Sequence, residues 1–133
     1  MIASVRSASR AGDDSTATSL LSSQTGLASQ KSPSVLLAQR AMAVCGWLTS
    51  ENEYGRAMRL AQRILPQLAR MREDNDADRV DRLYWEAMLL ANILDEKLAA
   101  MARLEEAQKL APEDDRILQS AEELARALAE FGR

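Results

Sequence analysis

From Ser34 to Phe131 the apolar residues recur every three or four positions, and the alternation that strands require is absent. This spacing predicts five amphipathic helices, none of which would be stable alone in water. Their apolar stripes are Leu37–Leu48, Tyr54–Met71, Val80–Leu94, Leu98–Leu110 and Ile117–Phe131. The sequence therefore predicts an all-α domain over residues 34–133, in which short loops make neighbouring helices antiparallel.

Several residues predict where these helices begin, bend and end. Ser34 and Asp95 have side chains suited to capping the first and fourth helices, and Gly132 is suited to closing the fifth. Pro66 lies inside the second stripe and lacks a backbone donor, so a kink or a break is expected near it. The stripe continues in phase to Leu68 and Met71, which favours a kink over a stop. The polar run 72–78 has no apolar face and is predicted to be a loop that leads into a third helix near residue 78 or 79.

The first 33 residues differ from the rest, because they are rich in Ser and Thr and carry few large apolar side chains. Such a segment buries too little apolar surface to offset its ordering entropy, so residues 1–33 are predicted to be a disordered tail. An organellar transit peptide is an alternative, since residues 1–12 are free of acids and contain Arg6 and Arg10. Asp13 and Asp14 interrupt that pattern, which favours a cytoplasmic protein.

Composition excludes several classes of function. The chain has 17 Lys and Arg against 20 Asp and Glu, one Cys and no His, so a His-dependent triad or a His-bound metal is impossible. Cys45 lies on an apolar stripe without a base beside it, so it is expected in the core. A net charge of −3 argues against nucleic acid, and no run of 18 apolar residues predicts a membrane span. We expect no enzyme activity, no catalytic or metal-binding residue and no cofactor.

The second and fourth helices become similar when Tyr54–Ala57 is aligned with Lys97–Ala100. Small and large apolar positions then coincide: Ala57, Ala61 and Ile64 match Ala100, Leu104 and Ala107. Two turns complete the pattern. One follows the fourth helix and contains a proline, Leu110–Asp114, and the other leads into the second helix, Asn52–Ala57. Together these residues resemble the tetratricopeptide repeat (TPR), a helix-turn-helix unit with small residues where its two helices cross.

The resemblance implies a short right-handed α-solenoid of about two and a half TPR-like helix pairs, with Ala57 and Ala100 at the crossings. These alanines lie 43 residues apart, against about 34 in the standard repeat. In the turn before the second helix, Asn52 would adopt the left-handed conformation that a glycine usually provides in the family. The fifth helix would act as a terminal cap, or the chain would be one end of a longer array.

In the resembled family, the first helices of successive pairs line a concave groove that binds another protein. The positions of this chain that correspond to the groove carry polar, charged, aromatic and thioether side chains together, as protein interfaces do. They are Gln39, Met42, Arg82, Trp85, Leu89, Asn92, Gln119, Glu122 and Arg126. For Trp85 a second interpretation stays open, in which the indole fills the core beneath the loop 72–78.

The resemblance implies a protein–protein interaction module, an adaptor or chaperone-like protein, that holds a peptide or helix of a partner protein in this groove. Small TPR chaperones of bacterial secretion systems are a special case of similar size. The alternative is a structural assembly element, in which the same apolar faces make a homodimer or join the chain to a larger complex.

Overall fold

A computed structural model describes residues 31–131 of the chain and the side chains of residues 31–130. Within this range it contains five α-helices, one π-helical turn and no strand, which confirms the prediction of five helices and an all-α fold. The helices are α1 (Pro33–Ser50), α2 (Tyr54–Arg70), α3 (Asp76–Met88), α4 (Lys97–Leu110) and α5 (Asp115–Phe131), and the π-helical turn is Leu89–Ile93. Most of the predicted tail, and the predicted closing residue Gly132, lie outside the described residues.

The first helix begins earlier than the sequence suggested. Pro33 occupies its first turn, a position that suits a residue without an N–H group. Ser34 is therefore inside the helix, and its hydroxyl donates to Glu73 Oε2 at 2.7 Å, so the prediction that it caps α1 is wrong. Ser32, at the capping position, is buried, and its backbone N and its Oγ donate to Asp78 Oδ2 at 2.8 and 2.6 Å. The folded domain thus includes residues assigned to the tail.

Helix α2 agrees with its predicted stripe, whereas α3 differs from its predicted start. Helix α2 continues through Pro66 to Arg70, so the chain does not break at the proline. Helix α3 begins at Asp76, because the side chain of Asn75 accepts a hydrogen bond from the backbone N–H of Asp78 at 2.8 Å. The loop between them is accordingly shorter than the predicted run 72–78.

The turns inside the two helix pairs have the same backbone shape. Asn52 and Asp95, which lie 43 residues apart, are the two described non-glycine residues with positive φ, at 61° and 54°. Each is followed by a glutamate with nearly equal angles, φ −96° and ψ 58° at Glu53 and φ −102° and ψ 73° at Glu96. The left-handed Asn52 was expected. Asp95 holds the same conformation and pairs with Lys97, so the prediction that it caps α4 is wrong.

One extra residue distinguishes the second pair from the first. In the first turn, the backbone N–H of Glu53 donates to Leu48 O at 2.8 Å, five residues back. In the second, the N–H of Glu96 donates to Leu90 O at 2.7 Å, six residues back. The additional residue is accommodated in the π-helical turn, where the N–H of Leu94 bonds to Leu89 O at 3.1 Å.

The core consists of two adjoining clusters of buried apolar side chains. The first lies between α1 and α2 and includes Leu89; the second lies among α3, α4 and α5. Ala57 belongs to the first cluster and Ala100 to the second, and both are fully buried. Leu65 and Leu94 contact both clusters, so the two helix pairs share a continuous interior.

Candidate functional site

The nine predicted groove residues occupy three kinds of environment. Four are partly buried: Gln39, Met42, Arg82 and Trp85. Four are exposed: Asn92, Gln119, Glu122 and Arg126. Leu89 is 0% exposed and packs in the first core cluster, so its placement on a partner-binding surface is wrong. Leu89 begins the π-helical turn, which packs against α1 and α2, and these contacts bury its side chain.

Arg82 is engaged in a buried ion-pair network. Its Nη1 donates to Glu86 Oε2 at 2.6 Å, and its Nη2 lies 3.1 Å from Glu73 Oε1. Glu86 also accepts from Arg103 Nε of α4 at 2.9 Å. Burial lowers the pKa of Arg82, but the hydrogen bonds and charges of Glu86 and Glu73 outweigh burial and raise it overall. Arg82 therefore joins α3 to the preceding loop and, through Glu86, to α4.

Trp85 packs mainly against the first core cluster. Its ring meets Tyr84 edge to face, with centroids 5.1 Å apart and an interplanar angle of 77°. Its Nε1 is buried and has no hydrogen-bond acceptor among the described residues. This environment favours the interpretation of Trp85 as a core side chain, with only its remaining exposed edge open to a partner.

A cleft of about 230 Å³ opens where the end of α3 and the π-helical turn approach α4 and α5. Apolar side chains of Met88, Leu104 and Leu124 line it together with polar ones. The polar lining residues are Asn92, Lys97, Ser120 and Glu123, and two alanines, Ala91 and Ala127, complete the wall. The volume and the mixed lining suit a single apolar side chain held beside hydrogen-bonding groups.

Asn92 is the one predicted groove residue that lines this cleft. Gln119 adjoins it, because its Nε2 donates to Glu123 Oε1 at 3.3 Å. Ser120 and Glu123 were not predicted, although their spacing of three residues places them on one side of α5 beside the apolar stripe. Met88 and Lys97 were not predicted either, because the π-helical turn that lies between them has no signature in the apolar pattern.

The described part of the chain, residues 31–131, contains neither a group of metal ligands nor a helix suited to cross a membrane. No group of three or more His, Cys, Asp or Glu side chains there could hold a metal ion. No helix in that part combines the length and apolar character needed to cross a bilayer.

We expect the Cys45 thiol to be unreactive in the folded protein. It is fully buried, its Sγ lies 3.4 Å from Ala57 O, and burial raises its pKa to about 12. At about pH 8 only about 1 in 10⁴ thiols would be ionised, and reagents attack the thiolate. An aromatic disulfide reagent should therefore label the native protein far more slowly than the protein in urea; equal rates would contradict the burial of Cys45.

No family model, curated protein or solved structure matches this chain. The resemblance to tetratricopeptide repeats therefore depends on the residues quoted above and on the likeness of the two turns.

Proposed function

We propose that this protein is a TPR-like interaction module, an adaptor or chaperone-like protein, that binds a peptide or helical segment of another protein. The observation that carries the proposal is the cleft at the end of α3. In a TPR-like arrangement, α1, α3 and α5 are the first helices of successive pairs, and a groove would run along them. The cleft opens beside two of these three helices.

The recurrence of 43 residues supports the repeat arrangement. It relates the buried alanines Ala57 and Ala100, and it relates the left-handed residues Asn52 and Asp95. Small buried residues allow two helices to approach closely, and a left-handed residue reverses the chain tightly between them. Helix α1 packs against α3 as well as against α2, as stacked helix pairs require.

The lining of the cleft suits a peptide better than a small polar metabolite. Met88, Leu104 and Leu124 offer an apolar surface, and the thioether of Met88 adapts to side chains of different shape. The amide of Asn92 and the hydroxyl of Ser120 can bond to the N–H and C=O groups of a peptide backbone. The occupant would place a Leu, Ile or Met side chain in the cleft and its backbone along the polar residues.

Selection from a displayed library of short random peptides on the full chain tests the proposal. We expect the selected peptides to share an apolar side chain that is required for binding. The substitution Ala127→Trp fills the cleft and should lower their affinity by about tenfold or more, whereas Ala129→Trp, on an exposed position of the same helix, should not.

Removal of the Asn92 amide provides a second measurement in case the bulky substitution perturbs α5. Asn92→Ala should weaken the selected peptides about fivefold, which corresponds to one lost hydrogen bond. If no peptide is enriched, or if the enriched peptides bind the parent and Ala127→Trp proteins equally, the cleft is not a peptide site.

A further inference from the structure

The outer side of α2 carries arginines and no acidic residue. Between Tyr54 and Arg72 the sequence contains five arginines, no lysine, no aspartate and no glutamate, although the chain as a whole has a net charge of −3. Arg59, Arg63 and Arg70 are exposed. Their spacings of four and seven residues place the three side chains within about 40° of one another around the helix axis, in a row along it. We name these three residues the α2 arginine row.

Two arginines of the row have no acidic partner in the described part of the chain. No ion pair there includes Arg63 or Arg70, whereas Arg56, on the flank of the row, pairs with Glu53 at 3.2 Å. A guanidinium group offers five N–H donors in a planar fork that matches a carboxylate. Like charges along one side of a helix also repel one another, and carboxylates of a partner would relieve that repulsion.

The rest of this side of α2 has the composition of an interface. Tyr54 is 56% exposed and Met58 is 39% exposed, and they lie one turn apart on the other flank of the row. Tyrosine, methionine and arginine are enriched in interfaces, whereas lysine and acidic residues are depleted. Pro66, which is exposed inside the helix, has no N–H group and leaves the carbonyl oxygen of Gln62 without its usual helical donor. That oxygen can accept a hydrogen bond from a partner.

We propose that the α2 arginine row binds an acidic helix of a partner protein, in which three carboxylates face the three guanidinium groups. The rise of a helix separates successive arginines of the row by about 6 Å and about 10 Å. A second helix matches them with Asp or Glu at spacings of four and seven residues, or of seven and four when it runs antiparallel. An apolar side chain of that helix would contact Tyr54 and Met58. No residue of the row lines the cleft, so this surface is additional to the peptide site.

The distribution of apolar and charged residues favours a protein over a membrane or a nucleic acid. A helix that lies on a membrane inserts a broad apolar face. On α2 only Tyr54 and Met58 are large, apolar and exposed, and the other large apolar side chains pack against the core. Nucleic acid requires a wide basic surface, and residues 73–131 contain 16 acidic against 7 basic residues.

Titration of the full chain with fluorescently labelled helical peptides tests the proposal, with anisotropy as the measurement. Two alanine-based peptides each carry one leucine and three glutamates, at spacings of four and seven in one and of seven and four in the other. We expect one of them to bind at least about tenfold more tightly than the same peptide with glutamine in place of glutamate. The binding should weaken as salt is added, because exposed charges are screened.

Arg63→Glu should lower the affinity of that peptide about tenfold or more, since it replaces an attraction at the centre of the row by a repulsion. Lys109→Glu is the matched control, because it makes the same change of charge at an exposed position of α4 and should leave the affinity unchanged. A peptide with lysine in place of its central glutamate should regain affinity for the Arg63→Glu protein. A substitution that merely perturbed α2 would not allow this recovery.

The proposal is overturned if neither glutamate peptide binds better than its glutamine version, if Arg63→Glu and Lys109→Glu act equally, or if the lysine peptide does not regain affinity. It is also overturned if vesicles containing phosphatidylserine, or a DNA duplex, bind more tightly than either peptide and lose that binding in the Arg63→Glu protein. Ala127→Trp fills the cleft and should leave binding to the row unchanged, so this proposal and the proposed function can each fail alone.

Discussion

Replacement of Ala100 by Glu is expected to unfold the pair of helices α3 and α4. Ala100 is 0% exposed and lies in the second core cluster, where the two helices meet. A carboxylate at this position would lose its hydration without gaining a partner, and its bulk would separate the helices. We expect a loss of about 4 kcal/mol or more, a large part of the total stability of a domain of this size. Thermal and urea unfolding, followed by circular dichroism, measure it.

The control for this experiment is Ala102→Glu. Ala102 is exposed on the same helix, two residues away, so the substitution adds the same charge without burying it. We expect the free energy of unfolding to change by less than about 0.5 kcal/mol. If Ala100→Glu melts at the parent temperature, the placement of this alanine at the helix crossing is wrong, and with it the alignment of the two helix pairs.

Replacement of Glu86 by Ala is expected to have the next largest effect on stability. Glu86 is 3% exposed and accepts from Arg82 Nη1 at 2.6 Å and from Arg103 Nε at 2.9 Å. Its loss removes one of two carboxylate partners from Arg82, which stays mostly buried. We expect a loss of about 3 kcal/mol, because an incompletely paired buried charge costs far more than an exposed one. Urea unfolding of the variant measures it.

Glu122→Ala serves as the matched control for the buried pair. Glu122 and Arg126 have the same spacing of four residues as Arg82 and Glu86, but both are exposed. The control should lose less than about 0.5 kcal/mol. Equal losses in the two variants would show that burial does not set the strength of the network.

The helices themselves were predictable because each buries one apolar stripe with a period of three to four residues. Their first residues were less predictable. Ser32, Pro33 and Ser34 are adjacent, and the contacts of Ser32 with Asp78 and of Ser34 with Glu73 accompany a helix that begins at Pro33. Aspartate is a common helix-capping residue, but the turn here requires a left-handed backbone conformation at Asp95. In both cases tertiary geometry decides between residues that local preference treats as equal.

The candidate site was predictable only in part, and the π-helical turn is the reason. Leu89 lies off the apolar stripe of α3, so it was assigned to the side of that helix that points away from α4. In the structure α1 and α2 pack against the π-helical turn and bury Leu89, while Asn92 lies beside the cleft. The apolar pattern does not reveal the extra residue of the π-helical turn, because the leucines on either side of it keep spacings that a regular helix allows.

The ion pairs around Arg82 affect how cooperatively the two helix pairs unfold. Ser34 of α1 bonds to Glu73, Glu73 to Arg82 of α3, and Glu86 of α3 to Arg103 of α4, so one chain of hydrogen bonds crosses from the first helix pair into the second. Repeat arrays often fray from an end, one unit at a time, because each unit touches only its neighbours. Here a chain of polar contacts joins the units to each other, so amide exchange in α1 and α4 should share a single opening event.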